Sequence, residues 1–204
     1  MSTAVATKTS YTPEDLLDMP DGKSYELVRG QLVERNMGIE SSWLGGRLLA
    51  RLDRFCEEHE SGWLFPADSG YQCFPHDPGL VRKPDASFIR RGRFKDNVLP
   101  KGWATIPPDL AVEVVAPNDR ISDLEEKLSD YRQVGVPLVW VVYPECRSAM
   151  VYRRDGTVSR LLENDALSGE DVLPGFQCPV REILPPAGKA EQTQTAANGP
   201  SGPG

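Results

Sequence analysis

Apolar and polar positions recur along this chain with two different periods, and the places where one gives way to the other predict its elements. From 41 to 60, Trp43, Leu44, Leu48, Leu52, Phe55 and Cys56 fall at helical spacing, which predicts a long helix with one apolar face. Earlier, Thr12-Pro13-Glu14-Asp15 supplies a capping hydroxyl, a proline suited to the first turn, and acids that favour the positive end of a helix. A short helix therefore opens there and ends near Pro20. Segments 24–29 and 31–35 flank Arg29-Gly30 as the two strands of a hairpin. Short strands are expected near 63–65, 71–74 and 85–90, separated by turns of Pro, Gly and Asp.

The second half is more regular. Asp109-Leu110-Ala111-Val112-Glu113-Val114-Val115 is apolar on both faces apart from Glu113, the pattern of a strand covered on both sides. Ser122 and Glu125 have capping-box spacing, opening a helix that Gly135 closes. Residues 138–143 form another buried strand, stopped by Pro144, and 149–153 pairs with 158–162 across Asp155-Gly156. This order predicts a single mixed α/β domain over 11–184, one sheet flanked by helices. Residues 1–10 read as a flexible lead-in. Residues 185–204, with four Pro, four Gly and no aromatic, read as a disordered tail.

Composition narrows the function. With 23 Lys+Arg against 30 Asp+Glu the chain carries −7, so it is not a basic nucleic-acid coat protein. No apolar run is long enough to span a bilayer, so no membrane partner is expected. There is no apolar signal-peptide core, and four scattered cysteines suit a reduced, cytoplasmic protein. Between 82 and 101, however, seven basic residues stand against two acids, a local +5. That stretch, with Lys83, Arg90, Arg91 and Arg93, suits a phosphate backbone as well as it suits a solvated loop.

Three charges sit where the pattern asks for apolar residues. Glu113 lies in a strand buried on both faces, where a carboxylate needs an ion pair, a metal or a route to solvent. Asp85 follows Pro84 at the mouth of a strand, as a turn residue or a ligand. Lys127 lies on the stripe of Leu124, Leu128, Tyr131 and Val134, so it either snorkels to the edge or meets an acid. Glu26 shares a strand face with Val28, pointing inward or lying on an exposed edge. Two acids and an inward lysine at a sheet edge suit metal-assisted phosphodiester hydrolysis, in which acids hold Mg²⁺ or Mn²⁺ and the lysine orients water or offsets charge.

The segments 25–34, Lys83-Pro84-Asp85, 109–117, 126–131, Gly135-Val136-Pro137 and 140–144, in this order, resemble the Uma2 (DUF820) family of the PD-(D/E)XK, restriction-endonuclease-like superfamily. The resemblance spans roughly 12–184. It implies a restriction-endonuclease-like mixed central sheet flanked by helices, and a metal-dependent endonuclease acting on nucleic acid, DNA first. It also implies Asp85 and Glu113 as metal ligands, Lys127 as the catalytic lysine and Glu26 as a further acid; the Val114 carbonyl is a candidate additional ligand. Two departures stand out. The superfamily's acid-x-Lys reads Glu113-Val114-Val115 here, so Lys127 has to replace the strand lysine. Ser41 also stands where the family often has a His.

Other readings have less support. Cys56, His59, Cys73 and His76 have spacing that invites zinc, yet Cys56 falls on the apolar stripe of the long helix. Gly45-Gly46 matches neither a dinucleotide fingerprint nor a P-loop. A carboxylate pair for glycoside hydrolysis leaves Lys127 unexplained. An inactive nuclease-fold module that binds nucleic acid or a protein partner is the alternative to the enzyme. A homodimer suits the cutting of two strands, although no residue demands one.

Overall fold

The computed structural model describes residues 9–35 and 38–186; of the expected flexible lead-in (1–10) and tail (185–204), residues 1–8 and 187–204 lie outside the described residues. Helix α1 (Pro13–Asp18) is capped reciprocally: Asp15 N–H donates to the Thr12 hydroxyl and Thr12 N–H to the Asp15 carboxylate. Strands β1 (Tyr25–Val28) and β2 (Gln31–Glu34) follow as an antiparallel hairpin. Its turn needs positive φ at both central residues, +50° at Arg29 and +75° at Gly30, and glycine makes the second one inexpensive.

Helix α2 (Ile39–His59) leads into β3 (Gly62–Pro66). Then come β4 (Ala86–Arg90), β5 (Leu110–Val114), α3 (Ile121–Gln133) and β6 (Leu138–Tyr143). The described residues end with β7 (Ser148–Arg153), β8 (Val158–Leu162), β9 (Ala166–Ser168), β10 (Gln177–Pro179) and α4 (Val180–Ile183). Strands β3 to β8 form one six-stranded sheet in chain order. All its neighbours are antiparallel except β5 and β6, which run parallel because α3 carries the chain back across the sheet. The mixed sheet flanked by helices is the architecture expected from the hydrophobic pattern.

Alternation on the central strands sorts residues into two cores. Leu110, Val112, Val114, Leu138, Trp140 and Val142 face α2, meeting Leu44, Leu48 and Leu52. Ala111, Val139 and Val141 face α3, meeting Leu128 and Tyr131. Glu113 has the parity of Ala111, so it points at α3. A third cluster, Leu16, Leu27 and Val81, fastens the hairpin beside the α3 side of the sheet.

Two local expectations need correction, and three short elements were not foreseen. Residues 71–74 make no strand; Tyr71 forms only isolated bridges to Arg82 and Ala104. Helix α3 begins at Ile121 without a side-chain cap, so Ser122 lies inside it and its hydroxyl donates to Asp123 instead. The short strands β9 and β10 and the single turn of α4 had no expectation, because three or four residues are too few to display a period.

Two glycines separate packing from propensity. Gly46 lies in the interior of α2, where an added methyl would meet nothing within 4 Å. Gly62 pairs with Arg90 in the sheet, where a methyl would collide with the Ile89 carbonyl oxygen and lie 2.8 Å from Arg90 Cα. We expect Gly46→Ala to stabilise the protein by about 0.5–1 kcal/mol and Gly62→Ala to destabilise it by about 1–3 kcal/mol, read from urea melts.

Candidate active site

The antiparallel register of β4 on β5 pairs Ala86 with Val112, and Asp85 N–H donates to the Val112 carbonyl. Continuing that register by one residue puts Asp85 across from Glu113, on the face toward α3. Cross-strand neighbours of this kind have Cβ atoms about 5 Å apart, so two carboxylates here repel unless other charge intervenes. On the other side Gly45 of α2 packs near, and a methyl there would make ordinary contact, 3.7 Å from the Asp85 carbonyl oxygen.

Helix α3 supplies the answering donors. Lys127 Nζ stands 3.1 Å from Glu113 Oε2 and 3.3 Å from Glu26 Oε1. One turn further on, the Tyr131 hydroxyl donates to Glu113 Oε1 at 2.6 Å. Asp85 is held from two sides, by Val114 N–H at 2.7 Å and by Arg35 Nη2 at 2.9 Å. Glu26 is 1% exposed and points inward from β1. Thus Glu26, Asp85, Glu113, Val114 and Lys127, which the sequence singled out, all line one cleft, with Arg35 among its walls. Its free space of about 80 Å³ is several times what one water needs.

A second tier fixes Glu26 from behind. Arg82, 3% exposed, donates from Nη1 to Glu26 Oε2 at 3.1 Å and from Nε to Asp130 Oδ2 at 2.8 Å. Its Nη2 lies 2.7 Å from the same Asp130 oxygen, an ion-pair contact without the alignment of a hydrogen bond. Asp130 Oδ1 meets His76 Nε2 at 3.2 Å, and Lys83 N–H donates to Glu26 Oε1 at 2.8 Å. Arg35, Arg82, Asp130 and Tyr131 were not singled out as site residues. Asp130 carried a signal: it is a second charge bordering the apolar stripe of α3, one residue before Tyr131.

Burial and charge set the protonation of this cluster. Burial, joined by the nearby charges of Asp85 and Glu26, pushes Glu113 up to about 7 despite Lys127 and Tyr131. Burial likewise raises Asp85, although Lys127 and Arg35 pull it back. Glu26 goes the other way: burial opposes its ionisation, but Lys127, Arg82 and the Lys83 N–H together outweigh it and hold it below the ordinary carboxylate range. Burial also works against the charge on Lys127, and Glu113, Glu26 and Asp85 overcome it, keeping the ammonium protonated.

The structure sets the expected nucleic-acid contacts apart from the cleft. Lys83 is fully buried; its Nζ donates to the Gly22 carbonyl at 2.7 Å and lies 4.9 Å from the Trp103 ring, because the hairpin covers the 81–84 segment. Arg90, Arg91 and Arg93 sit at the opposite end of β4 from Asp85, about 17 Å away at the rise of a strand. There Arg90 donates to the Asp171 carbonyl, Arg91 pairs with Glu60, and Arg93 pairs with Asp109. Proximity in sequence was not proximity in space, since the strand carries these residues away from the acids. The zinc arrangement also fails: Cys56 packs on the α2 side of the sheet and Cys73 on the α3 side.

A family model described as "Putative restriction endonuclease", Uma2, matches residues 13–181. The chain belongs to the Uma2 family. Among solved structures, this chain resembles one titled a putative nuclease belonging to DUF820 from Anabaena variabilis ATCC 29413. The two share 14% identity over 85% of this chain and 97% of that chain, with a TM-score of 0.72, which establishes the common fold. No curated protein matches. The Uma2 fold thus brings its acids together at the C-terminal end of β5, where the hairpin and α3 close over the sheet. Among the described residues no helix is long and apolar enough to cross a membrane.

Two measurements test the electrostatics. Because Glu113 titrates at about 7 in the folded protein against an ordinary 4.5, the unfolded chain releases this proton first, and stability falls as pH rises between those values. We therefore expect Glu113→Gln to melt higher than the parent at pH 8 in chelator, by about 1–3 kcal/mol, with the gain fading near pH 4.5. Arg82→Met strands the buried carboxylates of Glu26 and Asp130; a loss of about 3–5 kcal/mol in urea melts is expected.

Proposed function

We propose that this Uma2 protein is an endonuclease that hydrolyses phosphodiester bonds in DNA with Mg²⁺ or Mn²⁺, held by Asp85, Glu113 and the carbonyl of Val114. The observation that carries this is the pair of carboxylates set side by side at the ends of adjacent strands, Glu113 buried and Asp85 nearly so, with the partly buried Lys127 reaching across to Glu113. The donor set suits a hard divalent ion. Among the described residues no group of three or more His, Cys, Asp and Glu is arranged to hold a metal ion by itself. Two carboxylates and a carbonyl, completed by water and substrate oxygens, are how Mg²⁺ is often held. Burial makes the ionised forms of Asp85 and Glu113 costly, and a divalent ion beside them favours those forms.

When bound, the ion supplies Lewis acidity at the phosphate and lowers the pKa of a water in its shell. Lys127 keeps its proton beside Glu113 and Glu26, so it donates: it orients the attacking water or meets negative charge building on the phosphorus oxygens. Glu26, held ionised by Arg82 and the Lys83 N–H, is a poor base and instead anchors the ammonium of Lys127. Tyr131 fixes the carboxylate plane of Glu113 through Oε1, leaving the other oxygen to Lys127. The family's description as restriction endonucleases favours DNA as the substrate. An inactive binding module would have lost an acid or the lysine, and all are present and adjacent.

Supercoiled plasmid and a single-stranded oligonucleotide, incubated with Mg²⁺ or Mn²⁺, test this directly. We expect cutting that chelator abolishes, with Glu113→Gln and Lys127→Ala each slower by about 10²-fold or more. Equal cutting by parent and variants would reject the assignment, as would no cutting of either substrate by a folded parent protein.

A further inference from the structure

A phosphodiester entering this cleft meets a hostile field. Six carboxylates line it against three cations, Arg35, Arg120 and Lys127. Lys127 already serves Glu26 and Glu113. Arg35 is placed differently. It directly follows β2, and its N–H donates to the Ser24 carbonyl, so its backbone is fixed to the hairpin base. Its side chain is 6% exposed; Nη1 donates to the Ala67 carbonyl at 2.5 Å, and Nη2 to Asp85 Oδ1 at 2.9 Å. A guanidinium clamped to a backbone carbonyl on one arm presents the other arm to the cleft in a set direction.

That arm now faces the carboxylate assigned to the metal. A divalent ion on Asp85 satisfies the same negative charge and repels the guanidinium beside it, so the two cations compete for one anion. With the ion in place, the Nη2 arm needs another acceptor. The planar fork of arginine matches the paired oxygens of a phosphate, and the phosphate is the anion that arrives with the substrate. We propose that Arg35 is a phosphate-binding residue of this site: it neutralises Asp85 while no metal is bound, then holds the non-bridging oxygens of the nucleic-acid phosphate once the metal has taken Asp85. This rests on the metal-dependent nuclease assignment above.

The proposal predicts opposite signs for two affinities, which a merely structural role for Arg35 would not produce. Mn²⁺ binding without nucleic acid is measured by calorimetry, and binding of a labelled duplex oligonucleotide by anisotropy in Ca²⁺, for parent, Arg35→Gln and Arg35→Lys. Removing the competing charge in Arg35→Gln should tighten Mn²⁺ by about 3–10-fold. The same variant should weaken the duplex about 10-fold or more, and in cleavage its loss should appear chiefly in KM. Arg35→Lys keeps the charge without the fork, so Mn²⁺ affinity should stay near the parent value while the duplex is still weakened; it also decides the matter should Arg35→Gln fail to fold. If both variants bind Mn²⁺ and duplex like the parent, or lose both together, Arg35 has no such role although the nuclease assignment stands. If the parent itself binds no Mn²⁺, the nuclease assignment fails and the role of Arg35 falls with it.

Discussion

A carboxylate on a strand covered from both sides has to be met by donors, and the meeting of Glu113 with Lys127 and Tyr131 is the contact around which this molecule is organised. Both donors come from one helix, one turn apart, so the position of α3 along the sheet and its rotation about its own axis are fixed by a single side chain. The hydrophobic stripe alone would tolerate a shift of the helix. A buried charge would not, because an unmet carboxylate costs several kcal/mol while a slipped methyl costs a fraction of that. Packing therefore holds α3 against the sheet, and the ion pair determines where.

The same logic extends outward through Arg82. The hairpin β1–β2 lies outside the main sheet; an isolated bridge joins its Leu27 to Val81, in the segment that precedes β4, and a small apolar cluster packs there. What aligns it is polar: Arg82 spans Glu26 of the hairpin and Asp130 of α3, and the Lys83 N–H takes the other oxygen of Glu26. Three separate parts of the fold are thereby referred to one guanidinium. Such an arrangement trades stability for definition, since an apolar core of the same volume would hold as well but would not fix Glu26 to within a hydrogen bond.

The sequence made some of this legible and hid the rest, for reasons visible in particular residues. Glu113 and Lys127 stood out because each interrupted a strong apolar pattern, and a violated period is readable without knowing what lies opposite. The long helix, the hairpins and the central strands were readable for the same reason. Arg35 and Arg82 gave no such sign: each sits outside an apolar run, where arginine is ordinary, and becomes remarkable only through burial. The run from Arg90 to Arg93 misled in the opposite sense. Linear nearness to Asp85 suggested spatial nearness, but a strand of five residues carries its ends about 17 Å apart. Residues 71–74 looked like a strand and are merely extended, because with Gly70 before and Pro75 after they find partners for one residue at a time.

The charged centre draws on four distant stretches of chain: Glu26 on the first hairpin, Arg35 at its base, Asp85 before β4, and Glu113 with Lys127 across the β5–α3 crossover. None of these stretches holds the constellation by itself, and no two neighbouring elements complete it. The centre exists only when hairpin, sheet and α3 have all docked. An incomplete or partly unfolded copy of the chain therefore contains the ingredients without the arrangement. For a protein assigned to cutting nucleic acid, topology itself withholds the activity from a nascent or damaged molecule.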